Sequence, residues 1–182
     1  MVQGILMFAG LTCIASMINN QKASPNNEDI YDVIHDNVPN LKSTGVTDLL
    51  TILPIIYFLL TSNVDTIGDY LFQWSIVFIL RMITVRSTVL PRLPEGNDYK
   101  QRNPMFGACR DYVFSGHVSS ALLASMFIGK ANPRLWPLLG LYNGMTAFMI
   151  VAQRKHYTVD VLLGWMITTL VHVSLRPCPP CV

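Results

Sequence analysis

Apolar residues fall along the chain in six blocks, at approximately 2–18, 49–63, 70–90, 112–129, 135–152 and 158–175. Each is near the lower end of the length that carries a helix across a bilayer, roughly 17–25 residues. The pattern predicts an all-α fold, a polytopic six-transmembrane-helix bundle forming a single integral membrane domain over residues 1–182. The second block is the weakest, since Leu49 to Asn63 is short and holds Pro54, and Arg81 and Arg86 interrupt the third. Between the first two blocks Asn19 to Asp48 is polar, with five acidic residues and two lysines. Pro91 to Asp111 is rich in Pro, Gly and Asn and reads as a loop. The first block has the alternative of a cleaved signal peptide. It lacks a basic leading region, and Ala15-Ser-Met17 is only a passable cleavage site, so a retained helix is the expectation.

Counting blocks locates the histidines before any motif is read. Two blocks, the fourth and fifth, separate His117 from His156, so both belong to the same membrane face. The acidic first loop and the Pro91–Asp111 loop share that face, while His172 falls on the opposite one. His35, in the acidic loop, and His172 are read as bystanders. The basic loop Gly129-Lys-Ala-Asn-Pro-Arg134 would be cytoplasmic by the excess of positive charge on that side, which puts the histidine face outside or lumenal. Arg92, Lys100, Arg102, Arg110, Arg154 and Lys155 lie on the histidine face and are expected to serve an anionic substrate.

Composition agrees with a membrane class. Apolar residues make up 51% of the chain and charged residues 13%, where a soluble domain carries about 25% charged residues. The mean hydropathy is +0.39. The formal charge of +2 is scattered over short loops, and no basic stripe points to nucleic acid.

Polar chemistry concentrates in two segments, Cys109-Arg-Asp-Tyr-Val-Phe-Ser-Gly-His117 and His156-Tyr-Thr-Val-Asp160. A spacing of four on a helix brings His156 and Asp160 together, and an aspartate beside an imidazole fixes its tautomer and stabilises the charge it gains. A pair capping a helix start, with Asp160 at the favourable end of the dipole, is the plainer alternative. Ser115 can cap a helix and Gly116 lets another group approach, so the helix end at His117 is a candidate anion site. Its plainer alternative is a serine-capped helix with a histidine in its first turn. Arg81, in mid-block, is either half of a structural ion pair or a neutraliser of phosphate oxygens. Asp111 is either a helix-start charge or a further site carboxylate. No cluster has convincing metal-ligand spacing, and the pattern reads as metal-free and cofactor-free acid–base and nucleophilic chemistry. Cys178 and Cys181 are palmitoylation candidates or part of an inert tail.

On these residues the chain resembles the sphingomyelin synthase family of the type 2 phosphatidic acid phosphatase superfamily. Cys109 to His117 matches the family's first histidine motif with Arg110 in place of glycine, and His156-Tyr-Thr-Val-Asp160 matches the second without change. Arg81-Met-Ile-Thr-Val-Arg-Ser-Thr-Val-Leu-Pro91 is similar to the exit of the family's third span. The likeness is strongest over about residues 70–175. It implies His117, His156 and Asp160 as a catalytic triad; Arg81, Asp111, Ser115, Gly116 and Tyr157 are the expected substrate-binding residues. It implies transfer of a phospho-head-group, phosphocholine first among the options, from a glycerophospholipid to ceramide, with release of diacylglycerol. Lipid phosphate hydrolysis and exchange between phosphatidylcholine and diacylglycerol are the alternatives. The implied partners are the donor phospholipid, a ceramide or diacylglycerol acceptor and the bilayer, with a homo-oligomer left open. The implied location is the Golgi, endoplasmic reticulum or plasma membrane. Ile150 stands where soluble and bacterial phosphatases of the superfamily carry an extra arginine, which argues against that branch. Glu95 and Asp98 are loose counterparts of an acidic loop residue found in some relatives.

Overall fold

The structure, a computed structural model, describes residues 30–41, 45–88, 90, 93 and 113–175, without the side chain of Arg86. Six α-helices occur among these residues: α1 (Val33–Asn37), α2 (Val46–Thr61), α3 (Val64–Ser87), α4 (Gly116–Ala131), α5 (Trp136–Ala152) and α6 (Thr158–Ser174). A 3-10 turn, Pro133–Leu135, leads into α5. The fold is all-α. The agreement in number with the six apolar blocks is a coincidence: α1 lies in the stretch expected to be a polar loop, and the first block, 2–18, lies outside the described residues. Cys109, Arg110, Asp111, Glu95, Asp98, Cys178 and Cys181 also lie outside them.

The other five blocks are helices with shifted ends. Asn63 caps α3, its Oδ1 accepting from the Thr66 N–H at 2.9 Å, so the helix starts six residues before the apolar block. Asp65 in the first turn then faces the positive end of the helix dipole. Val64–Val85 and Pro133–Ala152 are long and apolar enough to cross a membrane, while Val46–Thr61 and Thr158–Ser174 are shorter apolar helices.

Helix α2 survives Pro54 because its neighbour repairs the defect. Proline has no N–H, so the carbonyl four residues earlier loses its helical donor. That carbonyl, of Leu50, accepts a hydrogen bond from the Tyr142 hydroxyl on α5.

Helix α4 is central and contacts each of α2, α3, α5 and α6. Residues Leu123 to Gly129 are buried without interruption. Ser119, Ala121, Ala124, Ser125 and Gly129 keep its profile narrow, which lets neighbouring backbones approach. A Cβ on Gly129 would stand 2.7 Å from the Trp136 indole. Phe58, Tyr70, Leu123, Ala124, Phe127 and Ile128 join α2, α3 and α4 in one apolar cluster, and Val118, Ala147, Ile150, Val151 and Val161 join α4, α5 and α6 in another. The helix order brings the start of α2, the end of α3, the start of α4, the end of α5 and the start of α6 to the same end of the bundle.

Candidate active site

Two short segments deliver the histidines to that end, and each passes through one residue in the left-handed region: Phe114 (φ 72°) before α4 and Arg154 (φ 55°) before α6. A non-glycine residue in that region persists when surrounding contacts hold it. The Phe114 carbonyl accepts from Arg81 Nε at 3.1 Å, and Arg154 donates through Nη2 to the carbonyls of His35 and Val38 at 2.5 and 2.8 Å.

Ser115 then caps α4, its Oγ accepting from the Val118 N–H at 3.4 Å. Its own N–H donates to the Asp160 carbonyl at 3.0 Å, which fastens the start of α4 to the start of α6. Gly116 admits Arg81, since a Cβ there would come within 3.1 Å of the guanidine Nε. In α6, Asp160 Oδ2 accepts from the Tyr157 N–H at 3.0 Å and lies 3.5 Å from His156 Nδ1. His156 is 1% exposed and Asp160 fully buried.

The rings of His117 and His156 meet edge to face with centroids 6.2 Å apart. Each has its own carboxylate. His117 Nε2 is 3.1 Å from Oδ1 of Asp48, in the first turn of α2. The same Asp48 oxygen accepts from Lys155 Nζ at 3.1 Å, and Lys155 also donates to the Thr47 hydroxyl. The side chain of His117 is 11% exposed and that of Asp48 20%, so this edge is open while the His156–Asp160 pair is enclosed.

The structure thus brings together His117, His156, Asp160, Ser115, Gly116 and Arg81. Tyr157 contributes its N–H to Asp160, but its ring is 3% exposed and packs against Leu93 and the His35 imidazole. Asp111 lies outside the described residues. His35, read as a bystander from sequence, has its Nε2 3.2 Å from the His156 carbonyl oxygen. His172, at the far end of α6, pairs instead with Gln73 through Nδ1 at 2.8 Å. Arg154 and Lys155, expected to face an anionic substrate, are engaged by protein groups, because each is buried and bridges the turn to another element. Asp48 is the residue beside His117 that motif reading passed over. The remaining signal was a carboxylate at the edge of an apolar block on the histidine face, which spacing alone cannot pair with a partner 69 residues away. Among the described residues no group of three His, Cys, Asp or Glu side chains could hold a metal ion.

Residues 108–177 match the family model described as PAP2 superfamily C-terminal. The chain carries a PAP2 superfamily C-terminal domain. This domain holds both histidine segments, while Asp48 and Arg81 reach the site from outside it. The chain is distantly similar to human Sphingomyelin synthase-related protein 1, 35% identical over 65 residues that span 34% of this chain and 16% of that protein. It is 27% identical over 131 residues to Phosphatidylcholine:ceramide cholinephosphotransferase 1 of Caenorhabditis elegans, spanning 55% of this chain and 28% of the relative. The human protein of the same name is 38% identical over 65 residues, 34% of this chain and 16% of its own length. The matches therefore span less than a third of these curated relatives.

Proposed function

We propose that the chain is a multi-pass integral membrane phosphotransferase of the sphingomyelin synthase type. It moves a phospho-head-group from a glycerophospholipid to a lipid alcohol, with phosphatidylcholine as donor and ceramide as acceptor. The observation that carries this reading is the facing histidine pair, centroids 6.2 Å apart, with each imidazole backed by a different carboxylate. The choice of lipids leans on the names of the cholinephosphotransferase relatives.

The chemistry follows from how the two histidines differ. Asp160, with Oδ2 3.5 Å from His156 Nδ1, favours the proton on Nδ1, which leaves Nε2 as the nucleophile and stabilises the charge it acquires. In the first step Nε2 bonds to phosphorus, the phosphorus–oxygen bond to diacylglycerol breaks, and His117 gives a proton to the departing oxygen. In the second step the acceptor hydroxyl yields its proton to His117 and attacks phosphorus, and the phosphorus–nitrogen bond breaks. Asp48 holds His117 by Nε2, so the exchanged proton sits on Nδ1, and Asp48 stabilises the imidazolium. The backbone N–H groups at the start of α4, with the Arg81 guanidinium beside Gly116, form a cationic cradle for the equatorial oxygens. In this reading His117, His156 and Asp160 are catalytic, and Ser115, Gly116 and Arg81 shape the phosphate site. Tyr157 orients Asp160 through its N–H, and Asp111 is kept as a further substrate contact.

Helices α2 to α6 and the first apolar block would be the six spans of one membrane domain over residues 1–182, with the histidine end lumenal or exoplasmic. The deciding assay incubates the purified protein with fluorescent ceramide or diacylglycerol and a panel of phospholipids, then separates the products. A fluorescent phospholipid is expected with ceramide and phosphatidylcholine. Product formed only with water, as free phosphate or phospho-head-group, would replace the transferase by a lipid phosphate hydrolase. Product with diacylglycerol in place of ceramide would make it an exchange enzyme. Normal turnover by His156→Ala would remove the nucleophile assignment.

A further inference from the structure

The segment Ile30–Leu41 lies across the turn that carries His156, and we propose that its Asp32 and His35 are positioning residues for that histidine. The inference rests on the assignment of His156 as nucleophile. Asp32 accepts from the Thr158 N–H at 2.6 Å through Oδ2 and from the Thr158 hydroxyl at 2.7 Å through Oδ1. His35 Nε2–H donates to the carbonyl of His156 itself, at 3.2 Å, and the His35 ring lies 5.6 Å from the Tyr157 ring. Arg154 returns two hydrogen bonds to the carbonyls of His35 and Val38, and the Leu41 N–H donates to the Ala152 carbonyl at 3.0 Å. The contacts therefore bracket residues 152–158 on both sides of the nucleophile.

Two features separate this arrangement from ordinary packing. Helix α1 is five residues long and buries none of them fully, whereas the Asp32 side chain that precedes it is buried. What docks is mainly a set of hydrogen-bonding groups, assisted by Ile34 against the α4–α5–α6 cluster. The turn it grips also contains Arg154 in the left-handed region, whose guanidinium contacts are to this segment. Loosening a turn that positions a reacting group costs up to about a hundredfold in rate even when the group itself remains, because small misplacements are expensive.

The test uses the full chain in detergent, with fluorescent ceramide and phosphatidylcholine as substrates, and compares Asp32→Asn, His35→Ala, His35→Gln and His156→Ala. For Asp32→Asn and His35→Ala, kcat per folded molecule should fall about ten- to a hundredfold with KM within about twofold. His35→Gln, whose amide can still donate to the His156 carbonyl, should recover most of the loss. Amide hydrogen exchange over residues 153–158 should speed up in the first two variants and return in the third. Unchanged kcat per folded molecule beside an inactive His156→Ala would overturn the clamp alone. Full turnover by His156→Ala would overturn the catalytic assignment on which it rests. Unchanged exchange over 153–158 would overturn the clamp whatever the turnover does.

Discussion

At the scale of single residues, the site separates two imidazoles that sequence treats alike. His156 is enclosed and faces an enclosed carboxylate, while His117 sits at an open edge and shares Asp48 with Lys155. Enclosure suits a nucleophile that must exclude water from its phosphorylated form, and openness suits a group that exchanges protons with two different alcohols. Asp48→Asn should therefore lower kcat about tenfold or more and also lower the thermal midpoint, since it leaves the buried Lys155 ammonium without its carboxylate. Turnover at the wild-type rate would remove Asp48 from the mechanism. Gly116→Ala tests the cradle differently. The new methyl would press on Arg81 Nε at 3.1 Å and move the guanidinium that binds the Phe114 carbonyl. A loss of about tenfold or more in kcat is expected, because small displacements of positioning groups are expensive. The same protein should turn over unchanged in EDTA, and strong inhibition would contradict the metal-free chemistry.

At the scale of elements, neighbours finish what local sequence leaves open. Pro54 marked α2 as the weakest block, yet the helix runs from Val46 to Thr61 because Tyr142 supplies the missing donor. Tyr142→Phe should cost about 1 kcal/mol of stability, the size of one interhelical hydrogen bond, read as a lower thermal midpoint in detergent. The Ile30–Leu41 segment has a pH dependence of its own. Burial pushes His35 below its ordinary value of 6.5; Asp32 opposes this and Arg154 adds to it. Burial alone would raise Asp32, but its hydrogen bonds from Thr158 and His35 outweigh this and hold the carboxyl below 3.8. Both groups bind protons more weakly when the segment is docked. Docking is therefore fully supported above about pH 6.5, loses the His35 contribution as pH falls through that group's depressed value, and loses the Asp32 contribution at still lower pH. Limited proteolysis within residues 30–41 should accelerate as pH falls below about 6.5, and His35→Gln should flatten that rise. A pH-independent cleavage rate would contradict it.

At the scale of the molecule, the arrangement turns on α4. Its small residues let the other long helices converge on it, and its first turn carries His117. The proposed topology has a direct check in a background lacking the native cysteines. A cysteine at Lys130 and one at Asn37 should react with an impermeant maleimide from opposite sides of sealed membranes; labelling from one side would exclude the arrangement.

The sequence by itself determined the helical class, the positions of five described apolar helices to within six residues and, by parity, the placing of His117 and His156 at one end of the bundle. These depend on local periodicity and on the counting of crossings, which a chain carries in its order. The HxxxD spacing likewise predicted the His156–Asp160 approach, but not by a shared helix face: α6 begins at Thr158, so His156 lies in the turn before it and Asp160 reaches back from the first turn, as in the capping alternative. Only the tertiary structure decided that Asp48 serves His117, that Arg154 and Lys155 hold the turn, and that Asp32 and His35 reach across to it. Those pairings join residues 69 to 126 positions apart. The packing of helices around α4, and not any spacing along the chain, sets which side chains such distances bring within a hydrogen bond.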